Sequence, residues 1–194
     1  MISEHPDHCR HCKEQVRRLL TAIYSACLVS HPFPWPARPE GYTKSIMGNV
    51  LRQILAGLEQ LRGHRDFIKS ALMPPCDFYV PDPPFILEFD EGQHFTQARR
   101  VALSLYPPEF QAGFPVDRWI ELCRRIDARD DDPPDRDERR AWYDSLRDLV
   151  PGLHGLRPTV RVYANEFPWC SLDSGSTTDR EKFRSLLNQR LPLA

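Results

Sequence analysis

Carboxylates occur inside two apolar, strand-like segments of this chain. In the segment FILEFD, residues 85–90, Glu88 and Asp90 alternate with large apolar side chains. In the segment CDFYV, residues 76–80, Asp77 has similar neighbours. Because side chains alternate between the two faces of a strand, Glu88 and Asp90 share one face. If the two segments pair as a hairpin, Asp77 lies next to both acids and three carboxylates converge.

Burying these carboxylates is costly unless a proton, a base or a metal ion compensates the charge. Oxygen-rich sites of this kind suit Mg²⁺, a hard cation that keeps several waters and binds phosphate oxygens. The alternatives are structural. Asp77 would cap backbone amides, and Glu88 would pair with an arginine such as Arg161. Asp90 would cap the helix that follows it. The residue pattern alone leaves both interpretations open.

The stretch CDFYVPDPPFILEFDEGQHF, residues 76–95, resembles the catalytic hairpin of the PD-(D/E)XK nuclease superfamily. It is most similar to the very-short-patch-repair (Vsr)-like endonuclease branch, whose pattern is matched by DFYVP, ILEFD and QH in that order. A looser similarity in the order of elements extends over residues 45–165. The resemblance implies a restriction-endonuclease-like core and a magnesium-dependent endonuclease. Its reaction would be hydrolysis of phosphodiester bonds in DNA, in DNA repair or in defence against foreign DNA.

The resemblance also implies a role for each acid. Asp77 corresponds to the aspartate that bridges the metal, and Glu88 corresponds to the second metal ligand. Asp90 stands where the family usually has a lysine, which the repair-endonuclease-like relatives also lack. We therefore expect Asp77, Glu88 and Asp90 to bind Mg²⁺ or Mn²⁺. The group that activates water is left unassigned, although a bound metal itself lowers the pKa of water.

Two residues directly after the hairpin are candidates for assisting the reaction. Gln93 is expected to orient a water molecule or to fill the coordination shell, and His94 to supply or accept a proton. Lys69 is a second candidate for proton transfer. The alternatives are hydrogen bonds at a helix N-terminus for Gln93 and His94, and a salt bridge for Lys69.

Several basic residues are candidates for contact with the nucleic acid. The resemblance extends to an arginine-bearing helix that contains Arg99 and Arg100, and to a late strand that contains Arg161. Lys69 belongs to the same set of candidates. For Lys69 and Arg161 the alternative is a salt bridge within the protein.

The stretch ARDDDPPDRDERRAWYDSLRD, residues 128–148, is the most highly charged part of the chain. Such stretches usually form a solvated loop, and the alternatives are a surface for a partner protein, a DNA-mimic surface or a lid near the metal. Arg136, Arg139 and Arg140 are candidates for phosphate contacts, because the arginine fork matches phosphate geometry. An acidic middle region, residues 77–138, lies between basic flanks, which fits a cation site beside a polyanion-binding surface.

Cysteines near the N-terminus predict a second kind of site. Cys9 and Cys12 in HPDHCRHC have the C-x₂-C spacing of half a zinc site. His5 or His8 in the same stretch, or Cys170 from far along the chain, could complete the coordination of Zn²⁺. The alternative is a solvated terminus in which the cysteine spacing has no function.

Hydrophobic periodicity predicts the elements that position these residues. Strands are predicted at 66–72, 76–80, 85–90 and 159–164. Helices are predicted at 12–29, 45–62, 95–105, 119–129, 136–150 and 181–191. This order predicts an α/β (α+β) fold, with a small mixed sheet flanked by helices. We expect an N-terminal helix and proline-rich linker at 1–44, then a nuclease-like domain at 45–194 with an acidic insertion at 128–138.

Composition limits the class of protein. The net charge is −1 and 41% of the residues are hydrophobic, which favours a folded chain over a disordered one. Without an apolar run of 18 residues or an apolar N-terminal segment, we expect a cytoplasmic protein with no membrane span. Two alternatives to the nuclease remain. One is a catalytically silent nuclease-fold module that binds nucleic acid, a partner protein or a second copy of itself. The other is a zinc-organised interaction protein.

Overall fold

The structure, a computed structural model, describes residues 10–191. Six α-helices and a four-stranded mixed sheet form an α/β fold in this range. The helices are α1 (Arg10–Tyr24), α2 (Gly48–Arg62), α3 (Gln97–Leu103), α4 (Val116–Ile126), α5 (Arg136–Leu149) and α6 (Thr177–Arg190). The strands are β1 (Leu28–His31), β2 (Cys76–Pro81), β3 (Pro84–Asp90) and β4 (Val160–Tyr163). None of these six helices is long and apolar enough to cross a membrane.

The sheet has the strand order β1-β2-β3-β4. β1 pairs antiparallel with β2, and β2 pairs antiparallel with β3. β4 runs parallel to β3. The predicted hairpin of the two acid-bearing segments is confirmed, with Phe78 opposite Leu87. A parallel pair needs a crossover connection, and the segment that contains α3, α4 and α5 provides it. The β3–β4 register places Glu88 beside Arg161.

Helices cover both faces of the sheet. One face packs against α1 and α6 through Phe85, Leu87 and Phe89, which confirms that these three side chains share a core face. The opposite face packs against α2 and α5. Glu88 and Asp90 belong to this second face by strand alternation. The polar part of the sheet therefore meets the helices of the crossover connection.

The strand predicted at 66–72 is wrong. This segment is irregular, and the Tyr143 hydroxyl accepts hydrogen bonds from the backbone N–H groups of Lys69 and Ser70, both at 3.2 Å. A buried backbone donor needs a partner but the partner need not be another strand. Here a side chain of α5 satisfies the donors that a ladder would otherwise use.

The prediction of a helix at 12–29 is wrong at its C-terminal end. α1 ends at Tyr24, and Ser25 has a left-handed φ of 65°, which ends the helical hydrogen bonding. Leu28 and Val29 then pair with β2 as the edge strand β1, where both side chains are about half exposed. Short apolar runs fit a helix and an edge strand equally well, so periodicity does not separate them.

Residues 10–44 belong to the same core as the rest of the described chain. Val16, Leu19 and Leu20 of α1 are fully buried and pack with β2, β3 and β4. β1 extends the sheet at the edge of β2. The packing on this face of the sheet therefore depends on the N-terminal helix.

The acidic stretch 128–138 leads directly into α5 and is only partly solvated. Glu138 is fully buried and accepts hydrogen bonds from Nε and Nη2 of Arg62 at 2.5 and 2.6 Å. Asp137 is also buried, with Oδ2 at 3.4 Å from Nη2 of Arg62. These acids attach the start of α5 to the end of α2.

Candidate active site

Two carboxylates replace the backbone ladder where β2 and β3 separate, at the end of the hairpin opposite its turn. The backbone N–H of Asp77 donates to Oε1 of Glu88 at 3.0 Å, and that of Phe89 donates to Oδ2 of Asp77 at 2.9 Å. Each carboxylate is thus held by the backbone of the other strand. The structure brings together the two acids that the sequence predicts to act together. It also gives both of them backbone hydrogen bonds, which is the structural alternative considered for Asp77.

Lys13 of α1 is a third charged group at this position. Its Nζ lies 3.1 Å from Oδ1 and 3.2 Å from Oδ2 of Asp77. Burial alone would lower the pKa of the Lys13 ammonium, but Asp77, Glu91 and Glu88 raise that pKa above its ordinary value. Sequence reasoning missed Lys13, which stands 64 positions before Asp77. No local pattern in the sequence marks Lys13, because only tertiary packing brings it to Asp77.

Glu88 is a buried acid whose negative charge is only partly compensated. Its side chain is 5% exposed, and Oε1 lies 3.6 Å from Nε of Arg147 on α5. Burial raises the pKa of the Glu88 carboxyl to about 7; Arg147 opposes this shift, and Asp77 adds to it. Near neutral pH this carboxylate is therefore close to taking up a proton. A cation placed beside it would keep it ionised.

A cavity of about 360 Å³ opens over these groups. Its lining includes Lys13, Asp77 and Glu88 on the sheet side, together with His94. On the opposite side α5 contributes four arginines, Arg136, Arg139, Arg140 and Arg147. Because 3.6 residues make one helical turn, positions 136, 139, 140 and 147 fall on one side of the helix. The cavity thus has an acidic floor and a basic wall.

Three of these arginines are fixed by contacts around the cavity. Arg136 and Arg140 both donate to Asp130, at 3.0 and 2.8 Å. Arg140 also donates to the backbone oxygen of Gln93 at 2.8 Å. Arg147 donates to the backbone oxygen of Pro75 at 3.1 Å, in the loop that leads into β2. The three phosphate-contact candidates of the acidic stretch, Arg136, Arg139 and Arg140, line the same cavity as Asp77 and Glu88.

His94 lies beside two aspartates. Its Nδ1 is 3.3 Å from Oδ2 of Asp144 and 3.5 Å from Oδ1 of Asp90. Burial alone would lower the pKa of His94, but Asp144 and Asp90 raise it above the ordinary value. The imidazolium form is thereby stabilised, so His94 is suited to donate a proton. Asp144, which also lines the cavity, was not among the residues selected from the sequence.

Asp90 lies outside the cavity, contrary to the expectation of three converging carboxylates. It is 1% exposed, and its Oδ1 accepts from Nη1 of Arg161 at 2.7 Å. Its Oδ2 accepts from the indole N–H of Trp119 at 2.6 Å. Both oxygens are therefore engaged within the protein. Although Glu88 and Asp90 share a strand face, Asp77 lies near only the first of them.

Arg161 is the centre of a buried ion network rather than a surface group. Besides Asp90, it contacts Oδ1 of Asp148 at 2.7 Å and Oδ1 of Asp144 at 3.3 Å. Burial alone would lower the pKa of Arg161, but Asp148, Asp90 and Asp144 raise it well above its ordinary value. At 0% exposure it cannot reach a nucleic acid. The structure corresponds to the salt-bridge alternative considered for this residue.

The helix α3 does not present its two arginines to the cavity. Arg99 is 1% exposed and donates to Asp148 at 2.6 Å and to the Tyr106 hydroxyl at 3.1 Å. Arg100 is partly exposed and is not among the residues that line the cavity. Arg99 is part of the same buried network as Arg161, through Asp148, and does not line the cavity.

Gln93 and Lys69 also lie away from the cavity. The Gln93 amide donates to Oε2 of Glu91 at 3.1 Å, and its backbone oxygen binds Arg140, so Gln93 supports an arginine of the wall. Lys69 is half exposed, with Nζ at 3.4 Å from Oδ2 of Asp135. This contact is the salt bridge that was its alternative.

The predicted cysteine site is described only in part. Cys9 lies outside the described residues, as do His5 and His8. Cys12 is buried in the first turn of α1. Its Sγ is 2.9 Å from Sγ of Cys170.

Comparison with known proteins gives no match to a family model, to a curated sequence or to a solved structure. What can be said about function therefore depends on the geometry of the site and on the residue pattern of the hairpin.

Proposed function

We propose that this chain is a magnesium-dependent endonuclease that hydrolyses phosphodiester bonds of DNA. The observation that supports this most strongly is the cavity in which Asp77, Glu88 and Lys13 face the arginines of α5. Paired carboxylates suit a hard cation, and arginines suit phosphate groups. The resemblance of the hairpin to the PD-(D/E)XK superfamily supports the same conclusion. A restriction-endonuclease-like core is part of the proposal.

Asp77 and Glu88 are the residues that would bind Mg²⁺ or Mn²⁺. Burial raises the pKa of Glu88 to about 7, because the negative charge of its ionised form is only partly compensated inside the protein. A divalent cation would supply the missing positive charge. Within residues 10–191, no group of three or more His, Cys, Asp or Glu side chains could bind a metal ion. Mg²⁺ is usually bound by one or two carboxylates with waters and substrate phosphate, so a pair suffices. When bound, the ion supplies a polarised phosphate and a more acidic water.

Lys13 would take the role of the lysine that the family has at the position of Asp90. Its raised pKa keeps Nζ protonated, next to the Asp77 carboxylate. An ammonium in this place stabilises negative charge that develops on the phosphate or on the attacking water. The reaction would require an ammonium group beside the acids, whichever element supplies it. A lysine from α1 can therefore take the place of one from β3.

His94 and the arginine wall complete the proposed reaction. Because its pKa is raised, His94 would be protonated and would donate a proton to the leaving oxygen as a general acid. The arginines of α5 would neutralise the phosphates on either side of the bond that is cut. These arginines would thereby bind the DNA strand and orient it over Asp77 and Glu88.

Replacing Asp77 by asparagine tests the proposal. The amide oxygen of Asp77→Asn can still accept the Phe89 N–H, so the fold should persist while the negative charge is lost. We expect the wild type to cut plasmid DNA with Mg²⁺ or Mn²⁺, and Asp77→Asn to cut at least about 100-fold more slowly.

The control is Glu121→Gln, because Glu121 is exposed on α4, outside the site. This variant should cut as the wild type does. Cleavage by Asp77→Asn at the wild-type rate would contradict the proposal. Parallel reactions on single-stranded DNA and on RNA identify the polymer.

A catalytically silent module that binds nucleic acid is the second candidate function. The observation in its favour is the ion pair between Lys13 and Asp77, which compensates the aspartate without a metal. Calorimetric titration with Mg²⁺ or Mn²⁺ separates the two candidates. A nuclease binds the ion and loses binding in Asp77→Asn. A silent module binds no ion at these acids but still binds DNA with an ordinary salt dependence.

A further inference from the structure

Two cysteines that are far apart in the sequence have their sulfur atoms in contact. Sγ of Cys12 lies 2.9 Å from Sγ of Cys170, across 158 positions of the chain. Cys12 belongs to α1, and Cys170 belongs to a 3₁₀ turn at Trp169–Ser171. A disulfide bond is about 2.05 Å long, so bonding would require the two sulfur atoms to approach each other by about 0.9 Å.

Buried side chains hold both elements in place. Trp169, the residue before Cys170, is 2% exposed, and its indole N–H donates to the backbone oxygen of Tyr163 at 3.0 Å. Val16 and Leu19 of α1 are fully buried in the same core cluster as Trp169. The fold itself therefore keeps the two thiols together, so a bond between them would require little further ordering of the chain.

The two thiols differ in their access to solvent. Cys170 is exposed, whereas Cys12 is 2% exposed. Among the other cysteines within residues 10–191, burial raises the pKa of Cys76 and Cys123 to about 12 and that of Cys27 to about 11. These three thiols stay protonated near neutral pH and react slowly, because the thiolate is the nucleophile. An oxidant in solution can therefore reach Cys170 and would find a second thiol in contact with it.

We propose that Cys12 and Cys170 form a site of reversible oxidation by hydrogen peroxide. The Cys170 thiolate attacks the peroxide, which leaves a sulfenic acid on Cys170 and releases hydroxide. The Cys12 thiol then attacks the Cys170 sulfur. The S–S bond forms, the S–O bond breaks, and the hydroxyl group leaves as water with the Cys12 proton. In total the two thiols give up two electrons and two protons, and the peroxide is reduced to two molecules of water.

The disulfide would join α1 covalently to the turn at Trp169–Ser171. A bond that closes a loop of 158 positions lowers the conformational entropy of the unfolded chain, so the oxidised protein should be the more stable form. Lys13 directly follows Cys12, so the bond would also restrain the part of α1 that contacts Asp77. The inference does not depend on the proposed nuclease activity, because neither thiol lines the cavity.

Peroxide treatment of the full chain tests the proposal. Protein that has been reduced, freed of the reductant and of metal ions, and exposed to a small molar excess of hydrogen peroxide should contain the Cys12–Cys170 disulfide in most chains. Mass spectrometry after alkylation without reductant detects it. Dithiothreitol should remove the bond. The Tm of the oxidised protein should exceed that of the reduced protein by about 5–15 °C.

Three variants assign the roles of the two thiols. Cys170→Ser should form no such disulfide. In Cys12→Ser the sulfenic acid on Cys170 has lost the thiol that resolves it, so dimedone should trap it there. Cys27→Ser is the matched control, because Cys27 follows the other end of α1 and its loss should leave the disulfide unchanged.

The measurement on the wild type needs no variant, so it remains decisive if a variant folds poorly. Three results would overturn the proposal: no Cys12–Cys170 disulfide in the treated wild type, a disulfide that joins another pair of cysteines instead, or stoichiometric zinc in untreated protein that Cys170→Ser loses. None of these measurements involves nucleic acid, so their failure is distinct from failure of the nuclease proposal.

Discussion

At the scale of single residues, the site combines acids that a short motif identifies with a lysine that no motif identifies. Asp77 and Glu88 lie on paired strands, so alternation and hairpin pairing bring them together. Lys13 comes from a helix 64 positions earlier and reaches Asp77 only because of tertiary packing. Asp90 shows the opposite case. It stands at a position of the motif, but both of its carboxylate oxygens accept hydrogen bonds from buried side chains, those of Arg161 and Trp119.

On the proposed function, Lys13→Met should reduce the rate of DNA cleavage by about 100-fold or more, because it removes a positive charge next to Asp77. DNA affinity should change little, since the arginines of α5 remain. Lys44→Met is the control, because Lys44 is exposed and is not among the residues that line the cavity. Single-turnover cleavage and a binding titration measure the two quantities. Equal loss of rate in both variants, or no loss in Lys13→Met, would remove Lys13 from the mechanism.

Glu88 predicts a pH dependence of stability in metal-free protein. Its ordinary pKa is 4.5, and burial raises the folded-state value to about 7. The folded state therefore binds a proton more tightly than the unfolded state does. This contribution to the free energy of unfolding is complete below about pH 4.5 and is lost as the pH rises through about 7. Each pKa unit corresponds to about 1.4 kcal/mol.

The comparison that isolates this effect is wild type against Glu88→Gln, by urea denaturation with a chelator present. The stability of the wild type relative to the variant should decrease between pH 4.5 and pH 7. A difference that stays constant over this range would show that Glu88 titrates normally. Mg²⁺ should bind the wild type more tightly as the pH rises, because the ion competes with the proton.

At the scale of elements, α5 forms both the wall of the cavity and part of the buried network. Its arginines line the cavity, while Asp144 and Asp148 contact Arg161. The hairpin was predictable because its signals are local: alternating side chains and a proline-rich turn. The burial of acids along α5 was not, since their compensating arginines come from α2, α3 and β4. β1 was missed for a similar reason, because only its pairing with β2 distinguishes it from a helix end.

On the proposed function, Arg139→Ala should weaken DNA binding at every sequence, because Arg139 is one of the α5 arginines that line the cavity. The slope of log affinity against log salt should fall by about one. Arg125→Ala on α4 is the control, since Arg125 is exposed and does not line the cavity. Fluorescence anisotropy at several salt concentrations measures both. An unchanged slope in Arg139→Ala would place the DNA elsewhere.

At the scale of the whole molecule, one buried guanidinium connects the sheet to the crossover helices. Arg161 of β4 contacts Asp90 of β3 and two aspartates of α5. Arg99 of α3 shares Asp148 with it. The network therefore fixes α5, and so the arginine wall, relative to the strands that bear the acids.

Arg161→Met should destabilise the protein by about 3–5 kcal/mol, because it leaves buried aspartates without their cation. Arg124→Met is the control: its exposed pair with Glu121 should matter by less than about 1 kcal/mol. Urea denaturation at neutral pH gives both values. A loss in Arg161→Met as small as that of the control would mean that the network contributes little to the fold.

The depth of the Arg161 network has a practical consequence for handling the protein. Dissolved ions screen charges at the surface much more than charges in the interior. Concentrated salt should therefore release a polyanion from the arginines of α5 while the contacts of Arg161 persist. On the proposed function, washing with high salt during purification should strip nucleic acid from the folded protein, and returning to low salt should restore binding without a refolding step.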